Sequence, residues 1–264
     1  LVEIRVEDLT SSDEPDRQYR SSVILPPGYD ESDEDYPVIY MHDGQWLGAE
    51  RVPESLEWLQ SRGLIPKLIV VGIHATRDRS LEYGVASTPC SCGGRPIGTR
   101  ASRFQRFVIN ELMPHIEMKY RVRTGPENTT VFGFSLGGLS ATDIGWRRPD
   151  VFGTVGGFSS SFWYYSNDAN VIGSRAMLQL IREGDYHPGQ RFWFEAGTLD
   201  TDQDRDRDGV NDMIEDTLDV VAELQNKGYD YGSEVEYFEV EGGYHNNETI
   251  AHALPHFLEW AYAE

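Results

Sequence analysis

Apolar, β-branched runs recur along the chain, several closed by turn chemistry: residues 23–25 before Pro26-Pro27-Gly28, 38–41 just before Asp43-Gly44, then 68–73, 130–134, 154–158, 191–194 and 235–240. Short runs of this kind, bounded by Gly, Pro or Asp, read as strands. Their near-continuous apolar character marks strands covered on both faces. The alternation of Val2, Ile4 and Val6 is different and predicts an edge strand with one wet face. Phe104, Phe107, Val108, Leu112 and Ile116 repeat at three- and four-residue spacing, which predicts a helix that Pro114 kinks or ends. Strands alternating with helices define the α/β class: a mostly parallel central sheet of about eight strands with helices on both faces.

The 264 residues, 39% hydrophobic and 12% aromatic, suit one domain over 1–264, interrupted only by an acidic insertion at 200–219. No stretch approaches the roughly 18 to 20 apolar residues of a membrane span. Acidic residues outnumber basic ones by 44 to 23, and the only lysines are Lys67, Lys119 and Lys227. A net charge of -21 argues against nucleic acid as a partner, because phosphate binding needs basic surface. Such a surface suits high salt, where ions screen its self-repulsion, and a genome favouring Arg over Lys gives the same balance. The compartment therefore stays open between secreted, periplasmic and the cytoplasm of a salt-adapted cell. Cys90 and Cys92, in Cys-Ser-Cys-Gly-Gly, have a spacing that suits neither a zinc site nor a disulfide framework and are expected as free thiols.

The sharpest chemical signal is Gly133-Phe134-Ser135-Leu136-Gly137, which follows a strand and leads through Gly138 into a helix-compatible stretch. A strand turning abruptly into a helix holds its central serine in a strained backbone conformation, and the flanking glycines let the two elements close. Ser135 is thus the candidate nucleophile, with the Leu136 N-H aimed where an oxyanion forms.

A serine nucleophile needs a histidine base, and in this arrangement the order is Ser, then Asp or Glu, then His. His245, just past the last strand and before the closing helix, is the candidate base, ahead of His42. In Phe194-Glu195-Ala196-Gly197-Thr198-Leu199-Asp200, the candidate acid is Asp200, beyond the end of its strand; Glu195 ranks second and Asp202 third. The loop His42-Asp43-Gly44-Gln45-Trp46 follows the third strand, so the Gln45 backbone N-H is the second oxyanion donor.

These residues give the chain a resemblance to the esterase D-like family of the α/β-hydrolase superfamily. That family includes enterochelin esterases, S-formylglutathione hydrolases, feruloyl and acetyl xylan esterases and mycolyl transferases. The likeness runs over nearly the whole length, through Tyr40-Met41-His42-Asp43-Gly44-Gln45, residues 107–117, the Ser135 motif, Arg148-Pro149-Asp150-Val151-Phe152-Gly153 and Gly197-Thr198-Leu199-Asp200. It implies Asp200 as acid, His245 as base, Gln45 and Leu136 as the oxyanion hole, and no catalytic metal.

The acidic insertion departs from that family. Asp204, Asp206, Asp208, Asp212 and Glu215 occupy positions 1, 3, 5, 9 and 12 of a twelve-residue loop, with Gly209 at position 6 and the Val210 carbonyl at 7. This is calcium-loop spacing, and a structural Ca2+ is the expected occupant; a solvated acidic loop is the plainer alternative.

The function expected is a serine carboxylic ester hydrolase working through an acyl-enzyme, on a small-molecule or carbohydrate ester, with feruloyl-type or carbohydrate esters favoured if the aromatic residues form a wall of the site. Residues 159–165 hold an aromatic cluster after the sixth strand, and Trp46, Trp163 and Tyr164 are candidate substrate contacts, although the same rings could be core. The alternatives are an acyltransferase of the same fold and a calcium-dependent binding protein on a hydrolase scaffold. Oligomeric state is not legible.

Overall fold

The structure is a computed structural model that describes residues 2–165 and 175–263. Eight strands form one sheet: β1 (Glu3–Thr10), β2 (Gln18–Leu25), β3 (Val38–His42), β4 (Ile69–Ile73), β5 (Thr129–Phe134), β6 (Thr154–Phe158), β7 (Arg191–Leu199) and β8 (Val235–Tyr244). Their spatial order is β1-β2-β4-β3-β5-β6-β7-β8, with β2 antiparallel to both its neighbours, β1 and β4, and β3 to β8 parallel. This is the sheet expected from the sequence. Every residue of β3, β4 and β5 is buried, as strands covered on both faces require.

The helices are α1 (Val52–Ser61), α2 (Arg79–Glu82), α3 (Ala101–Phe107), α4 (Met113–Lys119), α5 (Leu136–Arg147), α6 (Ala176–Glu183), α7 (Asp212–Lys227) and α8 (Asn247–Tyr262). Two apolar clusters lie on opposite faces of the sheet. One, around Tyr40, Val131, Phe192 and Phe194, is covered by α3 to α7; the other, around Met41, Phe132, Phe158 and Trp193, by α1 and α8. α3 runs into α4 through one wide turn at Val108–Leu112. Pro114 sits in the first turn of α4, where its missing N-H costs least, so the irregularity falls just before the proline.

Two local expectations need correction. In β1, Ile4 and Val6 face solvent at 51% and 57% exposure, and it is Glu7 that is buried. Its carboxylate accepts from His115, Lys119 and Tyr120, so the edge strand docks through a polar cluster rather than an apolar face. Cys90 and Cys92 are joined as a disulfide, not free. The chain doubles back there, with Cys90 N donating to Ile97 O and Ile97 N to Cys90 O.

Candidate active site

β5 ends at Phe134 and α5 begins at Leu136, leaving Ser135 alone to make the turn at φ 58, ψ -123. A non-glycine residue at positive φ is strained, and the surroundings hold it there. Ser135 N donates to Phe158 O at 2.9 Å, and its carbonyl accepts from Leu139 N and Ser161 N. The glycines are packing requirements. A Cβ on Gly133 would lie 2.5 Å from the Gly137 carbonyl oxygen, and one on Gly137 would lie 2.7 Å from Asp43 Oδ2.

His245 follows β8 and precedes Asn246, whose side chain caps α8 by accepting from Glu248 N and Thr249 N, both at 3.0 Å. The cap fixes where the helix starts and so where the imidazole is carried. β7 and β8 approach closely at Gly197, where a Cβ would meet the Gly243 carbonyl carbon at 2.6 Å, and the ladder bulges between Gly197 and Leu199. The bulge swings Asp200 toward His245. His245 Nε2 lies 2.9 Å from Ser135 Oγ, and Nδ1 lies 2.7 Å from Asp200 Oδ1. An ionised carboxylate can only accept, so Nδ1 carries the hydrogen and Nε2 accepts from the serine. The other Asp200 oxygen accepts from Ser159 Oγ at 2.7 Å and Gly197 N at 2.9 Å. The imidazole packs against Phe134 with ring centroids 4.6 Å apart.

The loop after β3 is held from beneath. Asp43, at φ 62 and fully buried, accepts a two-pronged bond from Arg79 at 2.7 Å on each oxygen. Its N-H donates to the Tyr83 hydroxyl at 3.0 Å. The Gln45 side chain closes the turn, donating to Asp43 at 3.0 Å and accepting from Ala75 N at 2.9 Å. The backbone N-H groups of Gln45 and Leu136 each stand in the first turn of a helix, and neither meets an acceptor among the described residues.

His42 is fully buried, stacked on Tyr83 with its Nδ1 3.1 Å from the Gly137 carbonyl, and burial pushes it down to about 4. It is a neutral packing residue. Glu195 is also fully buried, within β7, and burial together with the neighbouring Asp200 charge pushes its carboxyl up to about 8. Asp202 is exposed, beside a recess of about 550 Å³ that it lines with Trp163, Tyr165 and Arg205. Trp46 is half-buried and meets Phe134 edge-on at 6.0 Å, which puts it near His245. Trp163 is half-buried as well. Tyr164 is a correction: expected beside substrate, it is fully buried, with its hydroxyl 2.8 Å from the Thr88 carbonyl, to which it donates, and 3.1 Å from that of Ile97. It anchors the disulfide-bearing loop from within the core.

In the acidic loop, Asp204, Asp206 and Asp208 each bring an oxygen within 4.8 Å of the others. Asp204 accepts from Arg207 N and Gly209 N, and Asp208 from Val210 N, so the backbone curls around the carboxylates. Glu215, in the first turn of α7, is raised by burial and then by the charges of Asp206 and Asp208. Asp212 departs from the expected ligand set: it is buried and accepts from Arg205 N at 2.8 Å. Sequence reasoning missed Asn211, which caps α7 with its oxygen and donates to the Gly197 and Thr198 carbonyls at 3.1 Å, tying the loop to the end of β7. It also missed Arg79 and Tyr83, which no motif singles out.

Sheet order and the site at the carboxyl ends of its strands define an α/β hydrolase of the esterase kind. The chain belongs to the family described as "Putative esterase", whose model matches residues 12–261. It is a carboxylic ester hydrolase. It is 26% identical over 256 residues to the uncharacterized protein YbbA of Bacillus subtilis (strain 168), covering 93% of both chains. To the ferri-bacillibactin esterase BesA of the same strain it is 31% identical over 145 residues, 48% of this chain and 49% of that one. Among solved structures, a ferulic acid esterase superposes with a TM-score of 0.75 at 20% identity, over 99% and 98% of the two chains. The enterobactin esterase FES from Shigella flexneri gives 0.76 at 22%, over 98% of this chain and 58% of that one. Those two likenesses establish the fold.

Proposed function

We propose that Ser135, His245 and Asp200 hydrolyse a carboxylic ester by acyl transfer through the serine. The observation that carries this is the hydrogen-bonded line from Ser135 Oγ through His245 to Asp200, at 2.9 and 2.7 Å. His245 Nε2 takes the serine proton as Oγ attacks the ester carbonyl, and Asp200 stabilises the imidazolium that forms. The Leu136 and Gln45 N-H groups hold the oxyanion of the tetrahedral intermediate. The imidazolium then gives its proton to the leaving alcohol, and water, activated by the same nitrogen, releases the acid and frees Ser135. No step needs a metal or organic cofactor.

The substrate we infer carries an aromatic group. Relatives and structural neighbours are named for ferulic acid, enterobactin and bacillibactin, and the half-buried Trp46, edge-on to the Phe134 ring that packs on His245, offers a ring for such a group to pack on, while Trp163 lines the recess beside Asp202. The test is turnover of p-nitrophenyl acetate and methyl ferulate by wild type, Ser135→Ala and His245→Ala, with fluorophosphonate labelling mapped by peptide mass. Loss of turnover in both variants with label on Ser135 is expected. Undiminished turnover in either variant, or label on another residue, overturns the assignment.

The acidic loop we read as a structural calcium site. Asp204, Asp206 and Asp208 fit a hard cation, because three carboxyl groups converge within 4.8 Å and their mutual repulsion needs an opposing charge, and Glu215, which feels the charges of Asp206 and Asp208, stands at the twelfth position of the loop. The Val210 carbonyl completes the oxygen set, and Asp212 stays with Arg205. Such an ion steadies the segment between Asp200 and α7.

A further inference from the structure

Ser159 and Glu195 are polar, fully buried, and play no part in the mechanism above. Ser159 sits at φ 41, a strained position just past β6, where its N-H donates to the Glu195 carbonyl at 2.8 Å. That conformation aims its hydroxyl between two carboxyl groups, 2.7 Å from Asp200 Oδ2 and 3.3 Å from Glu195 Oε2. A hydroxyl has one hydrogen and two lone pairs, so it can donate to only one of them. The shorter contact is with Asp200. The contact with Glu195 is then a hydrogen bond only if the hydrogen lies on Glu195 and is donated to Ser159 Oγ. Glu195 Oε1 agrees with this assignment, since it meets no donor among the described residues, and a buried carboxylate left that bare is far costlier than a buried acid.

We propose that Ser159 and Glu195 are positioning residues for Asp200: the Glu195 carboxyl hydrogen is donated to Ser159 Oγ, which commits the Ser159 hydrogen to Asp200 Oδ2 and extends the line Ser135-His245-Asp200 by two groups. This rests on the reading of Ser135, His245 and Asp200 given above. Asp200 is thus gripped on one oxygen by Ser159 and Gly197 and leaves the other to His245 Nδ1, which sets the imidazole plane. The groups facing Glu195 are Asp200 and Ser159, with Tyr237 on β8 contributing a phenol that is itself raised by burial and by Glu239. When Glu195 loses its hydrogen, near pH 8, Ser159 faces two carboxylates with one hydrogen to give, and Asp200 loses its fixed orientation.

The experiment measures kcat and KM for p-nitrophenyl acetate between pH 5 and 9.5 for wild type, Ser159→Ala, Glu195→Met and Glu195→Gln, with thermal melts to confirm folding. Met keeps the volume without a donor; Gln keeps a donor that cannot ionise. Ser159→Ala and Glu195→Met are expected to lose kcat by about 10- to 100-fold with KM little changed, as for a misdirected catalytic group. Glu195→Gln recovers most of the Glu195→Met loss at pH 7 and lacks the wild-type decline above about pH 8. Folded variants with wild-type kcat and an unaltered alkaline limb overturn the proposal. Ser135→Ala and His245→Ala run alongside: full activity in those two sinks the underlying assignment, whereas their inactivity beside unaffected Ser159 and Glu195 variants sinks this inference alone.

Discussion

Asp43, Glu50, Glu195 and Asp200 surround the candidate site from inside the protein, none more than 8% exposed, whereas Asp206 and Asp208 lie out in water with Asp204 half-exposed beside them. The same functional group meets opposite problems in the two places. Inside, each carboxyl has its own solution. Asp43 is neutralised by Arg79, Asp200 is held by three donors, and Glu50 and Glu195 are pushed up to about 8, chiefly by burial. Outside, water solvates each charge and the difficulty is their number within 4.8 Å. Burial therefore decides protonation and direction near Ser135, while the acidic loop depends on what the solution supplies.

Five substitutions or additions sharpen that contrast, and the largest effect belongs to the chemistry itself. Ser135→Ala is expected to lower kcat/KM by about 10⁴-fold or more, read from initial rates on p-nitrophenyl acetate; a loss under tenfold breaks the view that the interior group is organised for nucleophilic attack. Next is Arg79→Ala, which strands the Asp43 charge in the core. Urea melts should show a loss of about 3 kcal/mol, typical of breaking a buried pair from one side. A change within about 0.5 kcal/mol would mean that Asp43 is solvated or neutral.

Calcium is expected to act on the outer group by mass action. At about 100 times its Kd it adds roughly 2.7 kcal/mol, or about 5 to 10 °C in Tm, and chelator reverses the gain. Identical melts with calcium and with chelator would leave a solvated acidic loop. The pH dependence of Glu50 tests the inner group. Its folded value near 8 lies above the ordinary 4.5, so the folded protein retains a proton that the unfolded chain releases. Its stabilising contribution is complete below about pH 4.5 and is lost as pH rises toward 8. Glu50→Gln cannot ionise, so its Tm should rise relative to wild type between pH 5 and 8 and stay level above; a constant offset across that range would refute the assignment. The smallest effect is Asp206→Asn in chelator, expected within about 0.5 kcal/mol of wild type and on the stabilising side, since it removes one repelling charge at an exposed position. With calcium present the sign reverses.

What could be read from residue order were features whose signal is local. The Ser135 turn announces itself because strand, small residues and helix must be adjacent in sequence to make it, and His245 follows from lying between the last strand and the last helix. Asp200 over Glu195 was a matter of one residue lying past the strand end and the other inside it. The sheet was legible from period and turn chemistry, except at β1, where the alternation of Ile4 and Val6 said nothing about which face docks and Glu7 turned inward. Cys90 and Cys92 were misread because their spacing was held against a disulfide, although the backbone brings their Cα atoms to 5.3 Å.

The sequence by itself determined the strand and helix order, the strained serine, the order Ser, Asp, His and the spacing of the acidic loop, since each is written in neighbouring residues. Only the tertiary structure decided that Ser159 and Glu195 stand behind Asp200, that Arg79 and Tyr83 hold the loop after β3, that Tyr164 is core, and that Asp212 turns to Arg205. Those contacts join residues 7 to 76 positions apart. No local pattern encodes them, because they exist only once the sheet has closed and low-dielectric packing favours buried polar groups that meet a partner.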